Sequence, residues 1–139
     1  MVISKKNNKD NVTKCEITVN GTKIDQVREF LYLGQWVTDD GRSDKEVKRR
    51  IGMAKTAFNK VEKMVTNRKM NMKTRKRIIN CYVTPVLMYG METWVIGRAM
   101  KKKLEAMEMW IWRRMCKIGW KKKMMNTEVL KLVNEKVNE

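Results

Sequence analysis

At 139 residues and 42% apolar content the chain can bury one modest core, but a formal charge of +17 and a pI near 10 set it apart from ordinary globular domains. Such an excess of Lys and Arg points to a polyanionic partner, nucleic acid ahead of an acidic membrane surface. The chain has no histidine, which removes catalytic triads, His-ligated zinc and phosphohistidine chemistry together.

In chain order, Met1-Val2-Ile3-Ser4 is a short β-type run, and Lys5 to Asn11 a polar loop. Cys15-Glu16-Ile17-Thr18-Val19 alternates, Asn20-Gly21 supplies a two-residue turn tolerant of positive φ, and Thr22-Lys23-Ile24 returns, which predicts a hairpin. Phe30 to Thr38 is a more continuously apolar run and predicts one further strand, buried on much of both sides, with Gly34 admitting a close approach of backbone or ligand. Asp39-Asp40-Gly41 follows as a turn.

The stretch from Ser43 to Thr66 predicts one long amphipathic helix. Val47, Ile51, Ala54, Phe58, Val61 and Val65 recur at spacings of four and three and share one face. Lys45, Lys48, Arg49, Lys55, Lys60 and Lys63 spread around the other. Ser43 with Glu46 three residues on has the form of a capping box. Asn71 then caps a second helix of about Met72 to Trp94, with Lys73, Arg75, Lys76 and Arg77 crowding its first turn, against the helix dipole, as though an anion were expected nearby. Pro85 should kink or divide it. A third helix, Arg98 to Ile118, aligns Met100, Leu104, Met107, Ile111, Met115 and Ile118 and should close at a left-handed Gly119. Trp110 lies off that face between Lys103 and Lys117, either as a basic and aromatic surface for a base or packed on a neighbouring helix. Lys121-Lys122-Lys123 is a loop before a last helix, Thr127 to Val137.

Charge is unevenly spread. The net is +1 over residues 1–42, +10 over 43–80 and +6 over 81–139, so the basicity belongs to the helical part. Lys45, Lys48, Arg49, Lys55, Lys60, Lys63, Arg75 and Lys76 are therefore the candidate phosphate contacts. The adjacent acids Asp39 and Asp40 resemble the paired carboxylates that hold two magnesium ions, yet with no third acid at a recognisable spacing they read as a turn that complements the following helix. Isolated glycines give no phosphate-cradling loop. No catalytic residue, metal ligand or cofactor is assigned. Cys15, Cys81 and Cys116 read as reduced thiols of an intracellular protein; no secretory signal opens the chain, and the apolar window Cys81 to Ile96 is too short to span a bilayer.

Phe30-Leu31-Tyr32-Leu33-Gly34, Asp40-Gly41-Arg42, Glu46-Val47-Lys48-Arg49-Arg50-Ile51 with Ala54, Ala57 and Phe58, and Cys81-Tyr82-Val83 together resemble the reverse transcriptases of non-long-terminal-repeat retrotransposons. The resemblance continues through Leu87 to Trp94, Leu104-Glu105-Ala106, Met109-Trp110, Arg113-Arg114-Met115 and Asn126-Thr127-Glu128-Val129-Leu130, and so covers nearly the whole chain. It implies a C-terminal fragment, the end of the palm followed by the thumb, with the metal-binding acids upstream of the segment that resembles Met1 to Ser4. It also implies a primer-gripping role for Tyr32, Leu33 and Gly34, and thumb helices lying along a template and primer duplex.

The expected fold is therefore α+β and mostly α: a short antiparallel hairpin and sheet remnant over about 1–38, then a three- to four-helix thumb-like bundle over about 43–137. The domains are expected at 1–41 and 42–139. The expected function is that of a truncated reverse transcriptase fragment that binds RNA or DNA, duplex or single strand, through phosphates and without sequence preference. It would have no catalytic site of its own, no cofactor and no membrane partner. Its further partners would be the missing palm and fingers or a second copy of itself, and its location the nucleus if it follows the parent element. The alternative is a basic helical protein that binds acidic proteins or membrane surfaces.

Overall fold

The computed structural model describes residues 15–138, with side chains through residue 134, so the opening run Met1 to Ser4 and the polar loop after it lie outside the described residues. The fold is α+β, two antiparallel strand pairs followed by helices. The chain divides into two compact units, one reaching through Lys48 and taking in Gly90–Ile96, the other formed by Arg49–Tyr89 and the chain from Gly97 onward.

In the first unit, β1 (Ile17–Val19) and β2 (Thr22–Ile24) pair with Ile17 opposite Ile24. Asn20 and Gly21 turn at φ 50° and 77°, the left-handed conformation that this dipeptide tolerates at least cost. The single strand expected over Phe30–Thr38 is instead a second hairpin. β3 (Glu29–Tyr32) and β4 (Gln35–Thr38) pair with Leu31 opposite Trp36, and Leu33 and Gly34 form the turn at φ 47° and 75°. An apolar Leu in the first turn position hides the reversal, because the apolar run continues unbroken through it. The run is accordingly not buried on two sides: β3 is exposed and β4 half-buried. Space around Gly34 is open, and the close approach falls at Gly90, where a Cβ would lie 1.7 Å from the Gln35 side chain.

The Asp39-Asp40 turn forms as expected. Gly41 N–H donates to Thr38 O at 3.0 Å, and the Asp40 carboxylate accepts from the Thr38 hydroxyl at 2.5 Å and from Arg42 N–H at 3.0 Å. Helix α1 (Asp44–Val65) starts where the capping signal placed it. Glu46 also accepts from Trp36 N–H at 3.0 Å, so the acid of the first turn anchors β4, while the Ser43 hydroxyl accepts from Val95 N–H at 3.1 Å.

The second unit is helical. The apolar stripe of α1 is used as predicted: Ala54, Phe58 and Val65 are buried in the core, with Ile51 and Val61 packed against it. Asn71 caps α2 (Met72–Ile78), its side chain accepting from Lys73 N–H at 2.8 Å. Pro85 does divide the helix that follows. A π turn (Ile79–Val83) joins α2 to α3 (Thr84–Met88), and Thr84 N–H reaches five residues back to Ile79 O, a register that accommodates the ring and missing N–H of the proline in the first turn of α3. Helix α4 (Arg98–Met115) contributes Met107, Ile111, Trp112 and Met115 to the core, and α5 (Asn126–Asn138) contributes Val129 and Val133. The left-handed residue that closes α4 is Lys117, at φ 53°, not Gly119, which is extended at φ −72°. Lys117 N–H bonds to Arg114 O and Ile118 N–H to Arg113 O, a Schellman closure two residues earlier than the glycine predicts. Met125 N–H donates to Glu128 at 2.8 Å and opens α5.

Candidate nucleic-acid interface

The basic residues of α1 fall where the helical periodicity puts them. Lys48, Lys55, Lys60 and Lys63 are exposed and Arg49 is half-buried. Lys45, in the first unit, pairs with Glu29 and stands 3.9 Å from the centre of the Trp36 ring, so part of its charge is already answered. Lys60 borders a shallow hollow with Met53, Val61, Tyr82 and Val86.

Arg75 is not a surface contact. It is only 8% exposed, and its Nη1 donates to Val65 O at 3.4 Å and Met115 O at 3.3 Å, the last carbonyls of α1 and α4. Helix C-termini leave such carbonyls without intrahelical donors, and a cation is the favoured partner. The crowding of cations at the start of α2 is thus partly accounted for from within, since Arg75 serves the negative ends of two neighbouring helices. Lys76 is half-buried as well, donating to Asn134 at 3.3 Å and lying 5.8 Å from the Trp112 ring, which ties α2 to α5. Tyr32 and Leu33 are exposed beside Gly34 at the tip of the second hairpin.

Trp110 packs on a neighbouring helix, one of its two sequence readings, and the cations at its ring are Arg114 and Lys55 rather than Lys103 and Lys117. Its ring meets Phe58 of α1 edge-on with centroids 5.0 Å apart, and cations flank it, Arg114 at 5.4 Å and Lys55 at 5.7 Å. It forms one wall of a cleft of about 1030 Å³ between the end of α1, the end of α4 and the connection leading to α5. Five cations line that cleft, Lys63, Arg113, Arg114, Lys117 and Lys123, against one acid, Glu62. Glu62 accepts from Arg114 Nε at 3.0 Å, so its charge is largely spent within the wall. Arg113 donates to Met124 O at 2.7 Å and to Asn126 at 2.9 Å and so holds the connection against the start of α5. The remaining lining includes Trp120, which is 97% exposed.

The sequence singles out Trp110 and the three-lysine loop but does not join them to Arg113, Arg114, Lys117 and Trp120. The available signal was a tryptophan set among cations just beyond a basic helix end, in Arg113-Arg114 and Gly119-Trp120-Lys121-Lys122-Lys123. Among the described residues no group of three or more His, Cys, Asp and Glu could hold a metal ion, and no helix is long and apolar enough to cross a membrane.

No family model matches the chain, and no solved structure matches it. Over 83 residues, 60% of its length, the chain is 31% identical to an uncharacterized transposon-derived protein of Caenorhabditis elegans. The matched segment spans 29% of that protein, and the likeness supports an origin in a transposable element.

Proposed function

We propose that the chain is the end-of-palm and thumb portion of a non-long-terminal-repeat reverse transcriptase, and that its helical unit grips nucleic acid through phosphates without reading sequence. The observation that carries this reading is the convergence of cations on one aromatic-walled cleft and on the outer face of α1, while the apolar faces of the same helices are spent on the core. The transposon-derived relative supports an origin in a transposable element, without naming its class. The exposed apolar residues of the hairpins, Ile17, Val19, Phe30, Leu31, Tyr32 and Leu33, fit surfaces that a complete palm would cover. Polymerisation belongs, on this reading, to the whole enzyme, and the chain by itself transfers no nucleotide.

The test is a duplex-binding titration over a salt series. Reversing Lys48, Arg49 and Lys55 to Glu should flatten the slope of log K against log salt by about 2 to 3, close to 0.9 for each phosphate no longer neutralised, whereas Lys5, Lys6 and Lys9 reversed together should change it far less. Equal effects of the two sets would refute phosphate gripping by α1. Incorporation of a labelled nucleotide on primed RNA by the same preparations, abolished by Asp39→Asn or Asp40→Asn, would overturn the non-catalytic part.

A further inference from the structure

We infer that the cleft between the ends of α1 and α4 takes an unpaired stretch of nucleic acid, with a base stacked on Trp120 and the flanking phosphates held by Lys63, Lys117 and Lys123. The inference rests on the nucleic-acid reading above and adds the strand class and the residues that select it.

Three features argue for it. Trp120 shows 97% of its surface to solvent, and the 3₁₀ turn Trp120–Lys122 that carries it is fixed by Lys122 N–H bonding to Gly119 O at 3.1 Å, so the ring is presented by ordered backbone. A stacked base is a fitting occupant for such a ring, because every base has a π-face and the contact needs no sequence. In a duplex those faces are already covered by neighbouring base pairs, so only an unpaired base or a strand end can use the ring.

Cations share the cleft with that ring. Lys117 and Lys123 bracket Trp120 in sequence, and Lys63 lines the same cleft from α1. Both bracketing lysines hold left-handed backbone, at φ 53° and 40°, where glycine or asparagine would be cheaper. The connection thus keeps positive charge at two positions where conformation alone would choose otherwise. A bilayer could also attract tryptophan and lysine, but it presents a broad surface, whereas these cations line one cleft together with Trp110.

The experiment compares Trp120→Ala and Trp120→Phe with the unaltered full chain, by fluorescence anisotropy on a labelled poly-dT strand of about 15 nucleotides and a duplex several times longer, whose two ends are a small share of its binding sites, and by co-sedimentation with phosphatidylserine vesicles. Trp120→Ala should weaken the single strand about 5- to 100-fold and the duplex less than about 2-fold, with Trp120→Phe keeping most of the strand affinity. A ring this exposed contributes little to the fold, and circular dichroism of each variant verifies that the helices are retained. Unchanged strand affinity in Trp120→Ala, or equal losses on strand and duplex, would overturn the inference while leaving phosphate gripping intact. Vesicle binding that exceeds strand binding at matched salt and is lost in Trp120→Ala would also overturn it, in favour of a membrane surface. Failure of the unaltered chain to bind either strand or duplex would bring down the underlying reading as well.

Discussion

Arg75 shows how a residue that looks like a ligand contact can be a structural tie. Its guanidinium bridges the terminal carbonyls of α1 and α4 from a position 8% exposed, so removing it would leave two buried acceptors without donors. Arg75→Met should cost about 2–4 kcal/mol in urea unfolding, with Arg75→Lys recovering only part because an ammonium cannot reproduce the fork. The salt slope for nucleic-acid binding of the still-folded variant should stay put. A variant as stable as the parent but with weakened affinity would return Arg75 to the phosphate contacts. Nothing in the local sequence distinguishes Arg75 from Lys73 or Arg77, since its partners lie 10 and 40 residues away and only the packed bundle brings them near. Residues whose role is set by their own helix are legible by contrast: Asn71 as a cap, and Ala54, Phe58 and Val65 as the buried stripe.

The two hairpins divide the legible from the illegible at the level of elements. Asn20-Gly21 announces its turn, because both residue types accept positive φ, whereas Leu33-Gly34 makes a turn of the same kind with a residue that neither prefers that backbone nor gains from exposing an apolar side chain. Leu33 is 74% exposed at φ 47°. Leu33→Asn should therefore stabilise the second hairpin by about 0.5–1 kcal/mol, read as slower amide exchange across Tyr32 to Gln35. Faster exchange would show that the side chain holds the turn through contacts that outweigh its backbone cost. The long helices are readable because a period of 3.6 runs through 18 to 22 residues, and Pro85 marks the division of the second one. The closure of α4 escapes the sequence because Gly119 is the residue a left-handed cap prefers, whereas the left-handed position falls at Lys117, followed by Ile118 packed against the core. That shift of two residues decides where Trp120 sits, which is why the cleft is visible in the sequence only as separate basic and aromatic pieces.

For the whole chain, a net charge of +17 makes salt act in opposite directions on folding and on binding. Without a polyanion the compact state concentrates like charges, and added salt screens that repulsion, so stability should rise with ionic strength. Binding runs the other way, because each phosphate neutralised releases a counterion whose return is favoured as salt increases. Three phosphates held by the cleft lysines imply a slope near −2 for a single strand, at about 0.7 per phosphate, and hence about a 100-fold fall in affinity over a roughly tenfold rise in NaCl, from about 50 to about 500 mM. Over the same range the melting temperature of the free protein should climb by several degrees. The two trends separate this mechanism from apolar association, for which salt would strengthen both folding and binding. The exposed hairpin residues make such association a real competitor, and light scattering across the series identifies it: scattering that grew with salt alongside apparent affinity would mean that apolar self-contact, not phosphate, was being measured.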